Sequence, residues 1–277
     1  MELAAKLERL HGLLAELPSA LVAFSGGVDS SFLLRVARDV LGERVTALTT
    51  LSPTTPTEDV EEARRLAAAL GIDHVLVDAN ELEVTGYAEN PPDRCYFCKD
   101  NLFTICAAEA ERRGIAAVLD GANVDDLGDH RPGLRAAAER GVRHLLVEAG
   151  LSKADIRAAS RDLGLSTWDR PASPCLSSRF PYGTRITRER LTQVEAAERH
   201  LHSLGFRELR VRYHGEVARL EVPIAEMPRL LEAATREAIL HELRRLGFAY
   251  VALDLQGFRS GSLNEPLRTK NTRGRGD

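Results

Sequence analysis

The chain lacks several features that mark large classes of protein. Its 277 residues include only four cysteines, which is too few for the disulfide framework of a small secreted domain. No run approaches the ~18 apolar residues of a membrane span, and the start at residues 1–6 lacks the apolar stretch of a secretory signal. We therefore expect a cytoplasmic protein without a membrane partner, whose thiols stay reduced.

An excess of positive charge is also missing. The chain carries 37 Lys and Arg against 41 Asp and Glu, a net charge of −4, whereas dedicated nucleic-acid binders are usually basic overall. We therefore do not expect nucleic acid as the partner. The hydrophobic fraction of 44% is ordinary for a globular protein and predicts a packed core.

The first part of the chain alternates between strand and helix patterns. Strands are predicted at residues 21–24, 45–49, 74–77 and 117–119, and helical patterns near 3–10, from 31, at 58–70 and at 95–113. Such alternation is typical of an α/β fold with a doubly wound parallel sheet that helices cover on both faces.

The pattern breaks in a loop rich in proline, serine and arginine at residues 167–182. Beyond it, a smaller α+β unit is predicted from a helix at 187–205, strands at 208–213 and 217–222, one more helix and a strand at 249–253. We predict two domains, residues 1–175 and 176–277, with a loose polar tail at 270–277.

A glycine pair follows the first predicted strand, in the string Ser25-Gly26-Gly27-Val28-Asp29-Ser30-Ser31. The glycines let backbone N–H groups point inward, and the helix that follows adds the partial positive charge of its N-terminus. Serine hydroxyls add donors, and Asp29 is a candidate ligand of Mg²⁺. The lysine of a Walker A loop is missing, which argues against a kinase or GTPase loop. The string therefore predicts a nucleotide site rather than a structural turn.

This string resembles the PP-loop of the N-type ATP pyrophosphatases. The resemblance implies that ATP is cleaved between its α and β phosphates, leaving an adenylylated substrate and pyrophosphate. The loop would stabilise the charge that grows on the leaving pyrophosphate. In this family the end of the second strand, here Thr49 and Ser52, lies near adenine.

Further candidate nucleotide contacts follow the strand at 117–119. Gly121 and Asp125 occupy the end of that strand, a natural rim position for nucleotide or Mg²⁺ contact in an open α/β sheet. A helix cap is the alternative role for Asp125 and for Asp126. Glu148 is a further candidate at the same rim.

Cys95 and Cys98 form a C-x-x-C motif, and Cys175 stands alone in the boundary loop. A structural zinc site would need a fourth ligand, and no second C-x-x-C or paired histidine is present. A redox dithiol is disfavoured because the motif does not follow the first strand of a thioredoxin-like unit. Two interpretations stay open: coincidental core cysteines, or an iron–sulfur cluster held by three thiolates with one iron free to carry sulfide. Cys106 lies on an apolar helical face and is predicted to pack in the core.

Several strings resemble, in order, the LarE family of ATP-dependent sulfur transferases. They lie at residues 25–31, 93–99, 120–126, 129–133, 148–153, 168–171, 175–179, 181–184 and 256–261. They cover nearly the whole chain, so they are more specific than the PP-loop alone. The resemblance implies a small nucleotide substrate, pyridinium-3,5-biscarboxylic acid mononucleotide. Its carboxylates would be adenylylated and converted to thiocarboxylates for the nickel-pincer nucleotide cofactor.

Two sources of sulfur are possible within this resemblance. In the sacrificial branch, a cysteine at the position of Cys175 gives up its sulfur and becomes dehydroalanine. The additional Cys95 and Cys98 resemble the branch in which three cysteines bind a 4Fe-4S cluster that carries a transferable sulfide, and we favour this branch. The resemblance also implies a homo-oligomer. The sequence does not identify the sulfur donor that resupplies the cluster.

The implied substrate carries a phosphate and two carboxylates, so its site needs guanidinium groups. The candidates are Arg179, four residues after Cys175, together with Arg210, Arg212 and Arg259. Arg210 and Arg212 share one face of a predicted strand. For each arginine, a solvated surface position is the alternative. The predicted catalytic residues are Cys175, Asp29 and Arg179.

Two other functions remain as alternatives. A PP-loop tRNA thiolase would have the same fold but would need a basic face, against which the net charge of −4 argues. A non-catalytic nucleotide-binding protein would also explain the PP-loop, although the three cysteines argue against it.

Overall fold

The computed structural model describes residues 2–128, 132–171, 173–259 and 261–264. These residues form two compact units. The first comprises the described residues up to Tyr87 and Pro91–Ser173, and the second comprises Ala88–Asn90 and the described residues from Pro174 onward. The change of unit after Ser173 lies two residues before the predicted domain boundary, so Cys175 belongs to the second unit.

The first unit is built on a four-stranded parallel sheet. Its strands are β1 (Ala20–Ala23), β2 (Val45–Leu51), β3 (Asp73–Asp78) and β4 (Ala117–Leu119), and its helices are α1 (Leu3–Ala15), α2 (Val28–Leu41), α3 (Thr57–Ala69), α4 (Arg94–Arg113), α5 (Pro132–Glu139), α6 (Leu145–Glu148) and α7 (Lys153–Asp162). The strand order is β3-β2-β1-β4, and Val22 of the central β1 pairs with Ala47 on one side and Leu119 on the other.

Helices cover both faces of this sheet. Successive residues of a strand point to opposite sides, so two neighbours on β1 show what packs on each face. Val22 belongs to an apolar cluster with Leu10 of α1 and Phe32 of α2. Its neighbour Leu21 belongs to another cluster, with Cys106 of α4. The predicted doubly wound α/β class and the core position of Cys106 are thus confirmed.

The second unit is a smaller α+β fold, as predicted. Its elements are α8 (Arg188–Ser203), β5 (Arg210–His214), β6 (Val217–Glu221), α9 (Met227–Leu231), α10 (Ala233–Arg245) and β7 (Tyr250–Leu253). In the sheet order β5-β6-β7, β5 and β6 are antiparallel and β6 and β7 are parallel. Two helices stand where one was predicted, because Glu232 adopts an extended conformation between them.

Two differences from the sequence prediction concern the elements around the PP-loop string. Helix α2 begins at Val28 and not near Ser31, so Asp29, Ser30 and Ser31 lie in its first turns. The short helices α5 to α7 were not predicted. The predicted loose tail at 270–277, and residues 129–131 of one LarE-like string, lie outside the described residues. Within the described part of the chain, no helix is both long enough and apolar enough to cross a membrane.

Candidate active site

The PP-loop, residues 25–31, joins the end of β1 to the first turn of α2. Gly26 adopts φ +71°, a left-handed conformation that favours glycine. A Cβ atom on Gly26 would lie 3.0 Å from the carbonyl oxygen of Asp59 and 3.1 Å from the amide nitrogen of Ala63, both in α3. Conformation and close packing therefore both require glycine at this position.

Hydroxyl groups line the loop as the sequence predicts. The Oγ atoms of Ser25 and Ser30 lie 3.1 Å apart, and Ser30 donates to the Gly27 carbonyl at 3.3 Å. The Ser31 hydroxyl is buried and has no hydrogen-bond partner among the described residues. Because the first turn of an α-helix leaves N–H groups without intrahelical acceptors, this end of α2 can receive an anion.

Asp29 stands at this helix end with its two carboxylate oxygens in different environments. Oδ2 accepts a hydrogen bond of 2.6 Å from the ammonium of Lys153, whereas Oδ1 is buried and has no partner within the described residues. An unpartnered carboxylate oxygen beside a phosphate loop fits the oxygen ligation that Mg²⁺ prefers. The geometry is therefore compatible with the predicted Mg²⁺ role of Asp29.

Lys153 is a site residue that the sequence interpretation missed. It is the first residue of α7, and its backbone N–H donates to Oδ2 of Asp125 at 2.7 Å. Asp125 thus accepts a hydrogen bond at the start of α7, which is similar to the helix-cap role considered as its alternative. Direct contact of Asp125 with the nucleotide stays a prediction. The available signal was the position of Lys153 in the LarE-like string 148–153.

Gly121 follows β4 and packs against the start of α2. A Cβ atom there would lie 2.9 Å from the amide nitrogen of Ser30 and 3.2 Å from the carbonyl carbon of Asp29. Glycine at 121 therefore lets the segment after β4 approach the backbone of the PP-loop. Glu148, the other rim candidate, pairs with Arg143 at 2.5 Å.

The predicted adenine neighbours Thr49 and Ser52 lie at the same end of the sheet. Thr49 donates to the carbonyl of Phe24 at 2.6 Å and lies 2.8 Å from Nε2 of His74. Ser52 hydrogen-bonds to the buried carboxylate of Glu81. Both hydroxyls thus hold strand ends beside the loop, and their contact with adenine stays a prediction.

A histidine–aspartate pair was also missed at this end of the sheet. Nδ1 of His144 lies 2.6 Å from Oδ1 of Asp120, the residue before Gly121. This hydrogen bond raises the pKa of His144 above its ordinary value, against the opposing effect of burial. The imidazole therefore holds its proton to a higher pH than a free histidine does.

The C-x-x-C cysteines lie in the first turns of α4, where a spacing of three residues makes them neighbours on the helix surface. Cys95 is exposed and Cys98 is half-buried. Cys106, two turns further on, is fully buried, and burial raises the pKa of its thiol to about 12. Only the first two thiols of this helix are thus available for chemistry.

Cys175 lies half-buried in the second unit, directly before a single 3-10 turn at Leu176–Arg179. The guanidinium of Arg179 donates to the carbonyls of Pro174 at 2.7 Å and Cys175 at 3.2 Å. It also makes two bonds, of 2.9 and 2.7 Å, to the carboxylate of Glu198 in α8. The guanidinium of Arg179 therefore holds the loop that carries Cys175, and its catalytic and substrate-binding role stays a prediction.

The other predicted arginines of this unit are also packed inside it. Arg212 donates to the carbonyl of Ser178 at 2.8 Å and to the carboxylate of Glu221 at 2.8 Å. Arg210 stacks on Phe258 at 5.0 Å from the ring centre, and burial, followed by the nearby charge of Arg179, lowers its pKa to about 10. Their sequence-predicted alternative, a solvated surface position, does not apply because both are buried.

We call this group the arginine cluster. It contains Arg179, Arg210, Arg212 and Arg219 with the acidic partners Glu198, Glu221 and Asp254. The carboxylates bind three of these guanidinium groups, those of Arg179, Arg212 and Arg219. Arg259 belongs to the same unit, is half-buried, and donates to the carbonyl of Gly257 at 2.9 Å.

The described part of the chain contains no set of three or more His, Cys, Asp or Glu side chains that could hold a metal ion. Cys95 and Cys98 belong to the first unit and Cys175 to the second, so neither unit holds all three predicted ligands.

A parallel sheet with a glycine-rich, lysine-free phosphate loop between β1 and α2 defines an ATP pyrophosphatase of the PP-loop class. In agreement, the family model described as NAD synthase matches residues 13–104, from α1 into α4.

Three individual proteins are also similar to the chain over most or almost all of its length. A pyridinium-3,5-bisthiocarboxylic acid mononucleotide synthase of Lactiplantibacillus plantarum is 42% identical over 266 residues, 96% of each chain. An uncharacterized protein of Synechocystis sp. is 45% identical, over 96% of this chain and 99% of its own. Another, of Methanocaldococcus jannaschii, is 28% identical over 87% and 90%. The chain belongs to the LarE family of ATP-dependent sulfur transferases.

Proposed function

We propose that this protein adenylylates the carboxylates of pyridinium-3,5-biscarboxylic acid mononucleotide and replaces the AMP by sulfur, giving thiocarboxylates for the nickel-pincer nucleotide cofactor. The observation that carries this proposal is the similarity to the Lactiplantibacillus plantarum synthase over 96% of both chains. That similarity includes the PP-loop unit and the arginine-rich unit together. We keep a cytoplasmic location and a homo-oligomer as predictions of the sequence.

The first half-reaction uses the groups of the first unit. A carboxylate oxygen of the substrate attacks the α-phosphorus of ATP, and the bond to the β-phosphate breaks with its electrons on pyrophosphate. The open N–H groups of α2 and the serine hydroxyls stabilise this growing charge. With Mg²⁺ on Asp29, the ammonium of Lys153 would be free to bind a phosphate oxygen.

The second unit supplies the charge that the substrate requires. The arginine cluster gathers four guanidinium groups in one unit, and guanidinium groups suit the planar, bidentate recognition of phosphates and carboxylates. Arg210, Arg212 and Arg259 are our candidates for binding the phosphate and carboxylates of the mononucleotide. Arg179, our further candidate, would also position Cys175 through its bonds to the carbonyls of Pro174 and Cys175.

Three accessible thiols, Cys95, Cys98 and Cys175, fit the all-thiolate ligand set of an iron–sulfur cluster. We propose them as ligands of a 4Fe-4S cluster, which when bound supplies a sulfide that can displace AMP. In the alternative, the Cys175 thiolate displaces AMP to form a thioester. Loss of the Cα proton then breaks the Cβ–S bond, leaving dehydroalanine and the thiocarboxylate.

Anaerobic turnover with Mg²⁺ and ATP tests the reaction. Pyrophosphate release should depend on the pyridinium mononucleotide, and mass spectrometry should show oxygen exchanged for sulfur in the product. Release that depends on tRNA would instead support the tRNA thiolase. Pyrophosphate release without any sulfur-containing product of the pyridinium mononucleotide would contradict sulfur transfer.

The sulfur source is tested on the same samples. Iron and acid-labile sulfide should be present in the anaerobic protein and absent from Cys95→Ser. Cys106→Ser is the matched control from the same helix and should retain both. An iron-free active protein whose Cys175 has lost H₂S after one turnover would establish the sacrificial route.

A further inference from the structure

The segment 167–171, at the end of the first unit, is held firmly against α7. Arg157 of α7 donates to the carbonyl of Trp168 at 2.6 Å and to that of Arg170 at 2.7 Å. The amide of Arg170 donates in turn to the carbonyl of Thr167 at 3.1 Å. The backbone of Arg170 therefore has a defined place from which its side chain extends.

The guanidinium of Arg170 connects this segment to the PP-loop. One nitrogen donates to the carbonyl oxygen of Gly26 at 3.0 Å, and the other to Oδ1 of Asp59 at 2.6 Å. Asp59 lies in the first turn of α3 and is 7% exposed. Because the pair is largely removed from water, the bond of Arg170 to Asp59 fixes where the guanidinium meets Gly26.

The contact with Gly26 determines the direction of the next N–H group. In a trans peptide, the carbonyl of one residue and the N–H of the next point in opposite directions. Holding the Gly26 carbonyl toward Arg170 therefore points the Gly27 N–H to the other side of the peptide, where Ser25 Oγ lies 3.4 Å away. Two consecutive glycines rotate with little steric restriction, so the hydrogen bond to the Gly26 carbonyl limits the rotation of this peptide.

The second oxygen of Asp59 holds the end of the unit. Oδ2 accepts a hydrogen bond of 2.8 Å from the hydroxyl of Ser173. Ser173 precedes Cys175 by two residues in the chain. One buried carboxylate thus fixes both Arg170 and the last residue of the segment that leads to Cys175.

We propose that Arg170 is a positioning residue of the adenylylation reaction, which holds the Gly26–Gly27 peptide of the PP-loop in its phosphate-binding orientation. The inference rests on the proposed function, because it assumes that this loop binds ATP. A guanidinium suits the role since its planar fork reaches two acceptors at once, whereas a lysine ammonium is a compact point charge.

Calorimetric titration of the full chain with ATP and Mg²⁺, without acceptor, tests the proposal. Arg170→Gln should raise the Kd for ATP by about tenfold, as expected for loss of a charge-assisted hydrogen bond. Arg170→Lys should restore part of the affinity. Asp59→Asn should weaken binding similarly, and the double variant should be no worse than either single one, because both act through one contact.

The control is Arg35→Gln, which removes an arginine from an ion pair of 2.9 Å with Asp39 on α2. It should leave the Kd for ATP unchanged. In turnover, Arg170→Gln should raise the KM for ATP more than it lowers kcat, whereas a purely structural role would lower the amount of folded protein and leave KM unchanged.

Two outcomes separate this inference from the proposed function. If the unsubstituted protein does not bind ATP, both the function and the inference are overturned. If the unsubstituted protein, Arg170→Lys and Asp59→Asn all bind ATP equally, the positioning role of Arg170 alone is overturned. That second result stands even if Arg170→Gln does not fold.

Discussion

The PP-loop of the first unit and the arginine cluster of the second unit both suit an anion, but they do so with different groups. The PP-loop keeps buried polar atoms without a hydrogen-bond partner among the described residues, namely Oδ1 of Asp29 and the hydroxyl of Ser31. In the arginine cluster, Arg179 and Arg212 are already bonded to carboxylates and carbonyls. The first site therefore offers direct ligands, whereas the second holds its guanidinium groups inside a packed framework.

This difference predicts that carboxylates in the two regions respond oppositely to substitution. Removing a carboxylate that keeps one oxygen without a hydrogen-bond partner should affect catalysis and leave folding nearly unchanged. Removing a carboxylate that neutralises a buried arginine should affect folding first, because an uncompensated buried charge is strongly unfavourable.

The largest effect is expected for Asp29→Asn. It removes the charge that we assign to Mg²⁺ binding, so substrate-dependent pyrophosphate release should fall by about a hundredfold or more. The ion pair with Lys153 is partly exposed, and such pairs contribute little to stability. Thermal unfolding should therefore change little.

Asp39→Asn is the matched control for this variant, because Asp39 lies on the exposed side of the same helix. It should retain full pyrophosphate release. If Asp29→Asn also retained it, Asp29 would have to be removed from the catalytic site.

Glu198→Gln should give the opposite result. Arg179 and Glu198 are both almost fully buried; burial alone raises the pKa of Glu198, but Arg179 outweighs it and holds that pKa below its ordinary value. Without the carboxylate, Arg179 keeps its charge in a buried site. We expect a loss of about 3 kcal/mol in the free energy of unfolding, measured with urea.

Glu242→Gln provides the control within the same unit, since its partner Arg245 is exposed. Its unfolding midpoint should stay close to that of the unsubstituted protein. Equal midpoints for Glu198→Gln and Glu242→Gln would show that the arginine cluster does not depend on the carboxylate of Glu198.

The sequence predicted the sheet and the PP-loop because both depend on local signals. Four short apolar runs and the string 25–31 carry those signals without help from the fold. The helices α5 to α7 were missed because helices of four to ten residues depend on tertiary packing more than on their own pattern.

The partners in the site could not be predicted in the same way. Lys153 and Asp29 are 124 residues apart, and Arg170 and Gly26 are 144 apart, so only the folded chain brings them together. For Arg179, sequence reasoning proposed a substrate contact, which stays a prediction, and did not anticipate the bond to Glu198. The Glu198 carboxylate lies on α8, and its pairing with Arg179 depends on how α8 packs in the folded unit.

The smallest effect concerns pH and the pair of His144 with Asp120. The hydrogen bond to Asp120 raises the pKa of His144, burial lowers it, the charges of Asp120 and Glu148 raise it, and that of Lys99 lowers it. Because the net pKa is raised in the folded state, the pair stabilises the protein fully below the unfolded pKa of about 6.5. This contribution is lost as the pH rises through the folded pKa.

His144→Gln should therefore be less stable than the unsubstituted protein under mildly acidic conditions. The gap between their free energies of unfolding should narrow as the pH rises. Urea unfolding of both proteins across this pH range measures the gap directly. A pH-independent gap would mean that the imidazole stabilises the end of the sheet by packing alone. A gap that widens with pH would require His144 to be neutral in the folded protein, and its role beside the PP-loop would then be that of a neutral hydrogen-bond donor.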